Sequence, residues 1–309
     1  RGLVDALQTD ARLKLEYDAS VTGTAAEAFE ARAGNCLALV IMTAALAKEL
    51  GLPVYYQRVY SEEFWTRDGD IRFRSGHVNV VLGERPVRRQ GFSDGTDQIT
   101  IDFLPQESLR GQRTREIEEH TIVAMFMNNR AAESLARGVL GHAYWWAREA
   151  VTRDSRFMES YNTLGVIYSR RGNLREAERV FDHVLESEPE NATVISNLAA
   201  ILRKAGRMEA AQSLLKKLQR IEPYPPFHFF EQAQLAMKSG DFVAARDLFA
   251  KELDRNPYYD AAHFGLAVSS FRMGDIRSAA EHLSAAMESS TTRRDRDLYA
   301  AKLRSLRAE

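Results

Sequence analysis

The chain has 309 residues, of which 45% are hydrophobic, so it is long enough for two domains with packed cores. Its 42 basic and 43 acidic side chains nearly balance, which argues against nucleic acid or an anionic membrane surface as a partner. The single cysteine excludes an intramolecular disulfide and a metal site built from several thiolates, and no metal or cofactor is predicted. No apolar run is long enough to span a membrane. Since the chain starts with Arg1 rather than Met, a removed leader or anchor is an open alternative, and the compartment (periplasmic, membrane-tethered or cytoplasmic) is not predicted.

Residues 1–120 carry helix patterns first and strand patterns later. The leucines of residues 1–15 predict helix there, interrupted near residue 20 by a turn and resumed over residues 25–32. An alanine-rich apolar run from Cys36 to the stop signal Gly51-Leu52-Pro53 predicts a buried helix of about four turns. β-Branched and aromatic patterns then predict strands at residues 54–60, 71–74, 76–82 and 99–105. A helix followed by antiparallel strands is an α+β arrangement.

Three chemically capable side chains fall within this region. Cys36 lies in the first turn of its predicted helix, where the positive end of the helix dipole makes a thiol more acidic than a free one. His77 is the one histidine on a predicted strand of this region, and Asp102 follows on the next strand, where a buried carboxylate is costly unless it is paired. Together they provide a nucleophile, a base and an acid that orients the base. A lone buried cysteine is also an ordinary core residue, and that alternative stays open.

Other residues near these positions are alternatives or possible neighbours of the site. Asn79 is the alternative orienting residue, although its place two residues along the same strand points it parallel to His77. Asp94 and Asp97 fall in a polar loop and are expected to be solvated. Four aromatic residues are candidates for the wall of the site, with core packing as the alternative for each: Tyr55, Tyr56, Phe64 and Trp65.

The order of these segments resembles the transglutaminase-like fold, whose superfamily is similar to the papain-like cysteine proteases. The resemblance covers roughly residues 20–110 and rests on Gly34-Asn35-Cys36 opening a helix, Gly51-Leu52-Pro53 leading into a strand, Gly76-His77-Val78-Asn79-Val80, and Ile101-Asp102. It implies that Cys36 is the nucleophile, His77 the base and Asp102 the orienting acid. The chain departs from the family pattern in two places. Asn35 and Leu37 flank the cysteine where many members carry an acidic residue, and Val78 follows the histidine where many carry an aromatic one.

From about residue 121 the strand signal ends and a repeat of 34 residues begins. Three series recur at this interval: Gly138, Gly172, Gly206, Gly240 and Gly274; Ala143, Ala177, Ala211, Ala245 and Ala279; and Pro189, Pro223 and Pro257. Small residues allow paired helices to approach closely, glycine closes the turn between them, and proline ends each second helix. The pattern resembles the tetratricopeptide repeat. About five repeats, the first of them degenerate, and a polar capping helix over residues 291–309 predict an all-α solenoid.

Solenoids of this type usually bind a peptide or a partner protein in a concave groove lined by the first helix of each pair. Five cations recur near the ends of the predicted first helices and are candidates for binding acidic side chains or a C-terminal carboxylate: Arg170, Arg203, Lys204, Lys238 and Arg272. The alternative is that these cations complement the helix dipoles and stay solvated. Four phenylalanines are predicted on the groove side, with packing between repeats as the alternative: Phe227, Phe230, Phe264 and Phe271.

The sequence therefore predicts a transglutaminase-like α+β domain over residues 1–120 and a tetratricopeptide-repeat domain over residues 121–309. The expected function is that of a cysteine-dependent amide or peptide hydrolase or acyl transferase, which forms a thioester and carries a repeat module for a protein or peptide partner. Family analogy favours hydrolysis over crosslinking. The rival hypothesis is a non-catalytic adaptor, in which the N-terminal domain is a pseudoenzyme and the repeats mediate protein–protein interaction.

Overall fold

The computed structural model describes residues 15–18, 22–60, 65–68, 71–74, 76–84, 98–103, 113–290 and 292–308. The predicted helix over residues 1–14 lies outside this part of the chain. So do the candidate residues Phe64, Asp94 and Asp97.

The N-terminal segments combine two helices with short strands. The elements are β1 (Glu16–Tyr17), α1 (Ala25–Ala31), β2 (Ala33–Gly34), α2 (Cys36–Glu49), β3 (Val54–Tyr60), β4 (Trp65–Asp68), β5 (Ile71–Arg74), β6 (His77–Leu82), β7 (Ile99–Ile101) and β8 (Arg113–Ile117). Strands β7, β6, β3 and β8 form an antiparallel sheet in that order. Strands β4 and β5 form an antiparallel pair, and β1 and β2 form a short parallel pair.

Four strands were not predicted from the sequence: β1, β2, β4 and β8. The helix predicted around residues 15–17 is wrong, because Glu16 and Tyr17 form β1 and pair with Ala33 and Gly34. Strand β8 was not predicted, and four of its five residues are exposed. An edge strand without a buried face lacks the apolar alternation that marks a strand in a sequence.

Helix α2 begins at Asn35, whose side-chain oxygen accepts a hydrogen bond from the Ala38 N–H at 2.9 Å. Nine of its fourteen residues are buried, as the apolar character of all its faces predicts. It ends just before Gly51, which has a φ of +70° that glycine adopts without steric cost. The helix packs against β6, which is buried along its whole length. Cys36 is therefore placed at the point where this central helix begins.

The rest of the described chain is helical. Its helices are α3 (Glu119–Ala136), α4 (Leu140–Arg153), α5 (Met158–Arg170), α6 (Leu174–Ser187), α7 (Ala192–Lys204), α8 (Met208–Ile221), α9 (His228–Lys238), α10 (Phe242–Arg255), α11 (Asp260–Arg272), α12 (Ile276–Ser289) and α13 (Arg293–Ala308). The helices form five packed pairs, from α3/α4 to α11/α12, and α13 packs against α12. Successive pairs also pack on each other, except at the step from α8 to α9, where the described residues show no comparable packing between the two helices. No helix in the described ranges is both long enough and apolar enough to cross a membrane.

The periodic residues account for this stack. The five glycines of the 34-residue series have φ values from +75° to +83°, a conformation that costs other residues about 1–2 kcal/mol. The five alanines of the second series are at most 1% exposed, because they lie where paired helices approach each other. The first pair starts at Glu119, a few residues before the predicted start of the first repeat near residue 124.

One core cluster joins the N-terminal sheet to the first repeats. Cys36, Tyr56 and Val78 belong to the same buried cluster as Met125 of α3 and Phe157, which precedes α5. The elements around Cys36 are therefore packed against the start of the solenoid.

Candidate functional site

Cys36 and Asp102 both interact with His77 near the N-terminus of α2, and we call these three residues the thiol centre. The Nε2 atom of His77 lies 2.7 Å from Oδ1 and 2.8 Å from Oδ2 of Asp102. The Cys36 thiol lies beside the same ring, and its interaction with the ring helps to raise the pKa of His77. Because Nε2 faces Asp102, Nδ1 is the ring nitrogen that remains for the thiol. The structure thus brings together all three residues that the sequence singled out, and their catalytic role stays a prediction.

The strand register explains how His77 and Asp102 meet. Strands β6 and β7 pair Val80 with Ile101, so the same register continued by one residue sets Asp102 opposite Asn79. Alternate residues of a strand share a face, which puts His77 and Asn79 on the same side. The Asn79 amide donates to Oδ2 of Asp102 at 3.3 Å. Asn79 therefore helps to position the Asp102 carboxylate, a role that the sequence analysis did not assign to it.

Burial and charge act in opposite directions on His77. Its side chain is 3% exposed, and burial by itself lowers the pKa of an imidazole. The hydrogen bonds to Asp102 and Cys36, together with the charges of both partners, outweigh burial and raise the pKa of His77 to about 9. The ring is therefore protonated at neutral pH, and an imidazolium stabilises a thiolate beside it. This arrangement places a histidine base beside a sulfur nucleophile.

A buried hydrogen-bond network, absent from the sequence analysis, ties the start of α2 to α3. The Asn35 amide donates to the Thr22 hydroxyl at 2.8 Å, and the Thr22 N–H donates to Oε1 of Glu133 at 2.7 Å. The Asn129 amide donates to the same hydroxyl at 3.2 Å. Thr22 is 1% exposed, so its polar atoms depend on these partners. Thr22 and Glu133 are 111 residues apart, and no local pattern signals such a contact.

Ion pairs connect the N-terminal elements to both ends of the solenoid. Arg58 of β3 pairs with Glu159 of α5, and Lys48 of α2 pairs with Glu119 of α3. At the other end of the stack, Arg293 of α13 lies 3.4 Å from a carboxylate oxygen of Glu16 in β1. The Arg58–Glu159 pair is the less exposed of the three and adds to the core contact with the first two repeats. The other two pairs are exposed, and exposed pairs contribute about 0–1 kcal/mol.

The five candidate groove cations are all exposed and lie at or near the C-termini of the first helices of repeats two to five. Within the described ranges none of them pairs with a carboxylate, and the Arg272 guanidinium lies 5.9 Å from the centre of the Phe242 ring. Their position is compatible with both alternatives of the sequence analysis, ligand binding and dipole compensation. Their role in partner binding stays a prediction.

Several aromatic residues lie elsewhere than predicted. Phe227 and Phe230 are 2% and 8% exposed and pack in a core cluster with Phe249, so their assignment to the groove surface is wrong. Phe264 stacks against Tyr299 of α13 with ring centres 5.2 Å apart, while Phe271 is 43% exposed.

The aromatic candidates for the wall of the site differ in burial and in location. Tyr56 is a core residue with 6% exposure, whereas Tyr55 is only partly buried and Trp65 lies on β4. No cluster of three or more potential metal-ligating side chains occurs among the described residues.

Comparison with known proteins identifies the helical part of the chain. Residues 169–227 and 236–304 match the tetratricopeptide repeat family. Within these matched segments the solenoid consists of tetratricopeptide repeats. The prediction from the 34-residue spacing is thereby confirmed, whereas the matched segments do not include the thiol centre. None of the curated proteins matches the chain.

Solved structures with similar helical arrays were also found. MamA from Desulfovibrio magneticus RS-1 aligns over 55% of this chain and 95% of its own length, with 21% identity and a TM-score of 0.32. TTC0263, a thermophilic tetratricopeptide-repeat protein of Thermus thermophilus, aligns over 60% of this chain and 100% of its own, with 16% identity and a TM-score of 0.33. A tetratricopeptide-repeat protein from Parabacteroides merdae aligns over 60% and 74%, with 18% identity and a TM-score of 0.31.

Proposed function

We propose that this protein is a protein-binding scaffold whose tetratricopeptide repeats hold an acidic peptide or protein segment. The observation that carries the proposal is the family match of the repeats, because such arrays usually bind peptides or proteins along the first helices. The preference for an acidic ligand follows from the exposed cations on those helices. Arg203 and Lys204 end α7, in the middle of the array, and have no carboxylate partner among the described residues.

Charge reversal at these two positions tests the binding surface. The double variant Arg203→Glu/Lys204→Glu should weaken binding of fluorescent peptides with acidic C-termini, measured by anisotropy, by about tenfold or more. Lys216→Glu/Arg220→Glu is the matched control, because it makes the same charge change at exposed positions of the second helix α8. Equal losses in the two variants would indicate long-range charge alone, and unchanged binding in the first would remove these cations from the interface.

A second candidate function is acyl transfer at Cys36, and the contact geometry of the thiol centre favours it. His77 holds the proton of the thiol, Asp102 holds the ring through Nε2, and the sulfur adds to a carbonyl carbon. A thioester then forms, which water or an amine resolves. In this proposal the N-terminal region is a transglutaminase-like cysteine amidase or acyl transferase. A ligand bound by the repeats would be its substrate.

Alkylation of the single cysteine separates this candidate from an inert centre. With iodoacetamide near pH 6.5, wild-type Cys36 should react about tenfold faster than the same residue in His77→Ala, because the variant lacks the imidazolium that stabilises the thiolate. His142→Ala, at an exposed position of α4, is the matched control and should react like wild type. The urea-unfolded chain supplies the rate of the unperturbed thiol. If Cys36 in the native chain reacts no faster than in the urea-unfolded chain, for wild type and for both variants, acyl transfer is excluded and the scaffold function is the one that remains.

A further inference from the structure

Tyr17 lies beside the backbone amide of Cys36. Strand β1 pairs in parallel with β2, and this register sets Tyr17 opposite Gly34, two residues before the cysteine. Its ring packs against the two core clusters that contain Cys36 and Leu39. From this position the hydroxyl lies against the Cys36 backbone, whose hydrogen bond to the ionised form opposes the rise in the pKa of Tyr17 that burial causes. The Tyr17 hydroxyl thus lies close to the start of α2, at a site where the charges of Asp18 and Asp102 also act on it.

The first amides of a helix have no acceptor within that helix, and they point toward any negative charge that forms there. In α2 the Asn35 side chain accepts from the Ala38 N–H, whereas the Cys36 N–H is directed at Tyr17. When a sulfur at Cys36 adds to a carbonyl group, the carbonyl oxygen becomes an oxyanion close to this same N–H. The Tyr17 hydroxyl therefore lies next to the place where that charge develops.

We propose that Tyr17 is a catalytic residue that donates its hydroxyl proton in a hydrogen bond to the oxyanion, as the partner of the Cys36 N–H. This inference rests on the proposed acyl transfer at Cys36. In the resting state the Tyr17 oxygen lies at the Cys36 N–H. An incoming carbonyl oxygen displaces it and accepts hydrogen bonds from the Cys36 N–H and from the Tyr17 hydroxyl. Burial and the nearby charges of Cys36 and Asp102 raise the pKa of Tyr17 above its ordinary value, so the hydroxyl keeps its proton throughout.

The reaction balances without any further reagent. The thiolate electron pair of Cys36 forms the sulfur–carbon bond while the carbonyl π pair moves to oxygen, and the thiol proton resides on His77. The oxyanion then re-forms the carbonyl and expels the leaving group, which takes the proton from His77. Tyr17 forms and breaks hydrogen bonds only, so its removal should slow reactions that pass through an oxyanion and no others.

Two reagents distinguish a reaction that forms an oxyanion from one that does not, and both are used on the 309-residue chain. p-Nitrophenyl acetate acylates a thiol through a tetrahedral oxyanion, whereas iodoacetamide alkylates it by direct displacement without one. In Tyr17→Phe, acylation of Cys36 should slow by about 10- to 100-fold, while alkylation stays within about twofold of wild type. Release of nitrophenolate and the mass of the acetylated protein follow the first reaction. Tyr258→Phe, on a partly buried tyrosine in the turn before α11, is the matched control and should leave both rates unchanged.

The possible outcomes are distinct. Fast alkylation of wild type with acylation that does not respond to Tyr17→Phe overturns the role of Tyr17 and leaves acyl transfer standing. Equal slowing of both reactions also overturns it, because Tyr17 would then act on the thiol or on the fold. A wild-type Cys36 that is unreactive toward both reagents overturns the acyl-transfer proposal and the role of Tyr17 with it.

Discussion

Replacing Asp102 with asparagine should change the protonation of His77 more than any other single substitution near it. The carboxylate contributes two contacts to Nε2, at 2.7 and 2.8 Å, and the variant keeps the shape of the side chain but loses its charge. Burial lowers the pKa of His77, and after the substitution Cys36 is the one remaining group named above that opposes burial. The pKa of His77 should therefore fall from about 9 to its ordinary value of 6.5 or below.

The same shift gives the effect on stability. Each unit of pKa difference between the folded and unfolded states corresponds to about 1.4 kcal/mol, so the wild-type centre contributes up to about 3 kcal/mol. Since the folded pKa is the higher one, this contribution is complete below pH 6.5 and is lost as the pH rises through 9. Asp102→Asn should thus lower the free energy of unfolding by about 2–3 kcal/mol near pH 7 and by little near pH 10.

Two measurements check this reasoning. Histidine ring signals in two-dimensional NMR give the pKa directly, with His77→Gln to assign the His77 signal, and urea unfolding between about pH 6 and 10 gives the stability. Asp254→Asn, an exposed carboxylate of α10, is the matched control and should change neither quantity. Two results would contradict this prediction. One is a pKa of His77 in Asp102→Asn that lies within about half a pH unit of the wild-type value, and the other is a stability difference that does not depend on pH.

Two further predictions concern the repeats. Asp260 at the start of α11 is partly buried beside Asp295 and Tyr299 of α13, and burial raises its pKa to about 6. The folded state therefore binds its proton more tightly than the unfolded state. The stability of the wild type therefore falls as the pH rises from 3.8 through 6. In urea unfolding, Asp260→Asn should be more stable than wild type by about 1–2 kcal/mol at pH 8 and equally stable near pH 4. A stability difference that does not change with pH would contradict this prediction. In α5, a Cβ at Gly165 would lie 2.5 Å from the fully buried Phe181 ring, so Gly165→Ala should cost about 1–3 kcal/mol. The control Gly141→Ala has open space around the added methyl group and should be neutral or slightly stabilising in thermal unfolding. Equal effects of the two substitutions would show that helix propensity, and not packing against Phe181, determines the change in stability.

The features that the sequence predicted are those with a local or periodic cause. The 34-residue series required glycine in the left-handed turns and alanine between paired helices, and both requirements appear as residue identities at fixed intervals. Helix α2 was predictable in the same way, from the Asn35 cap, the apolar run and the Gly51 stop. The contact of His77 with Asp102 was an inference from strand order, and it depended on the alternation of side chains along β6 and β7.

The features that escaped prediction are long-range. Tyr17 belongs to a two-residue strand whose partner, β2, is equally short, so neither carries a periodic signal. The bond from Thr22 to Glu133 closes a loop of 111 residues. Phe227 and Phe230 were predicted on the groove side, with packing between repeats as the alternative, and they lie in the core cluster with Phe249. In each case tertiary packing, which local sequence does not encode, decides the position.

The thiol centre and the repeats are joined by more than chain connectivity. A cut after residue 120, at the sequence-predicted domain boundary, would divide the core cluster in which Cys36 and Val78 pack with Ile122 and Met125. It would also remove the Glu133 acceptor from the buried Thr22 N–H, and an unpaired buried donor costs about 1–3 kcal/mol. Thr22 in turn holds Asn35, the residue that caps the helix carrying the cysteine. Any ligand that shifts α3 when it binds the repeats therefore acts, through two hydrogen bonds, on the position of the Cys36 amide. This physical coupling is the reason to test binding and thiol reactivity together, in one chain.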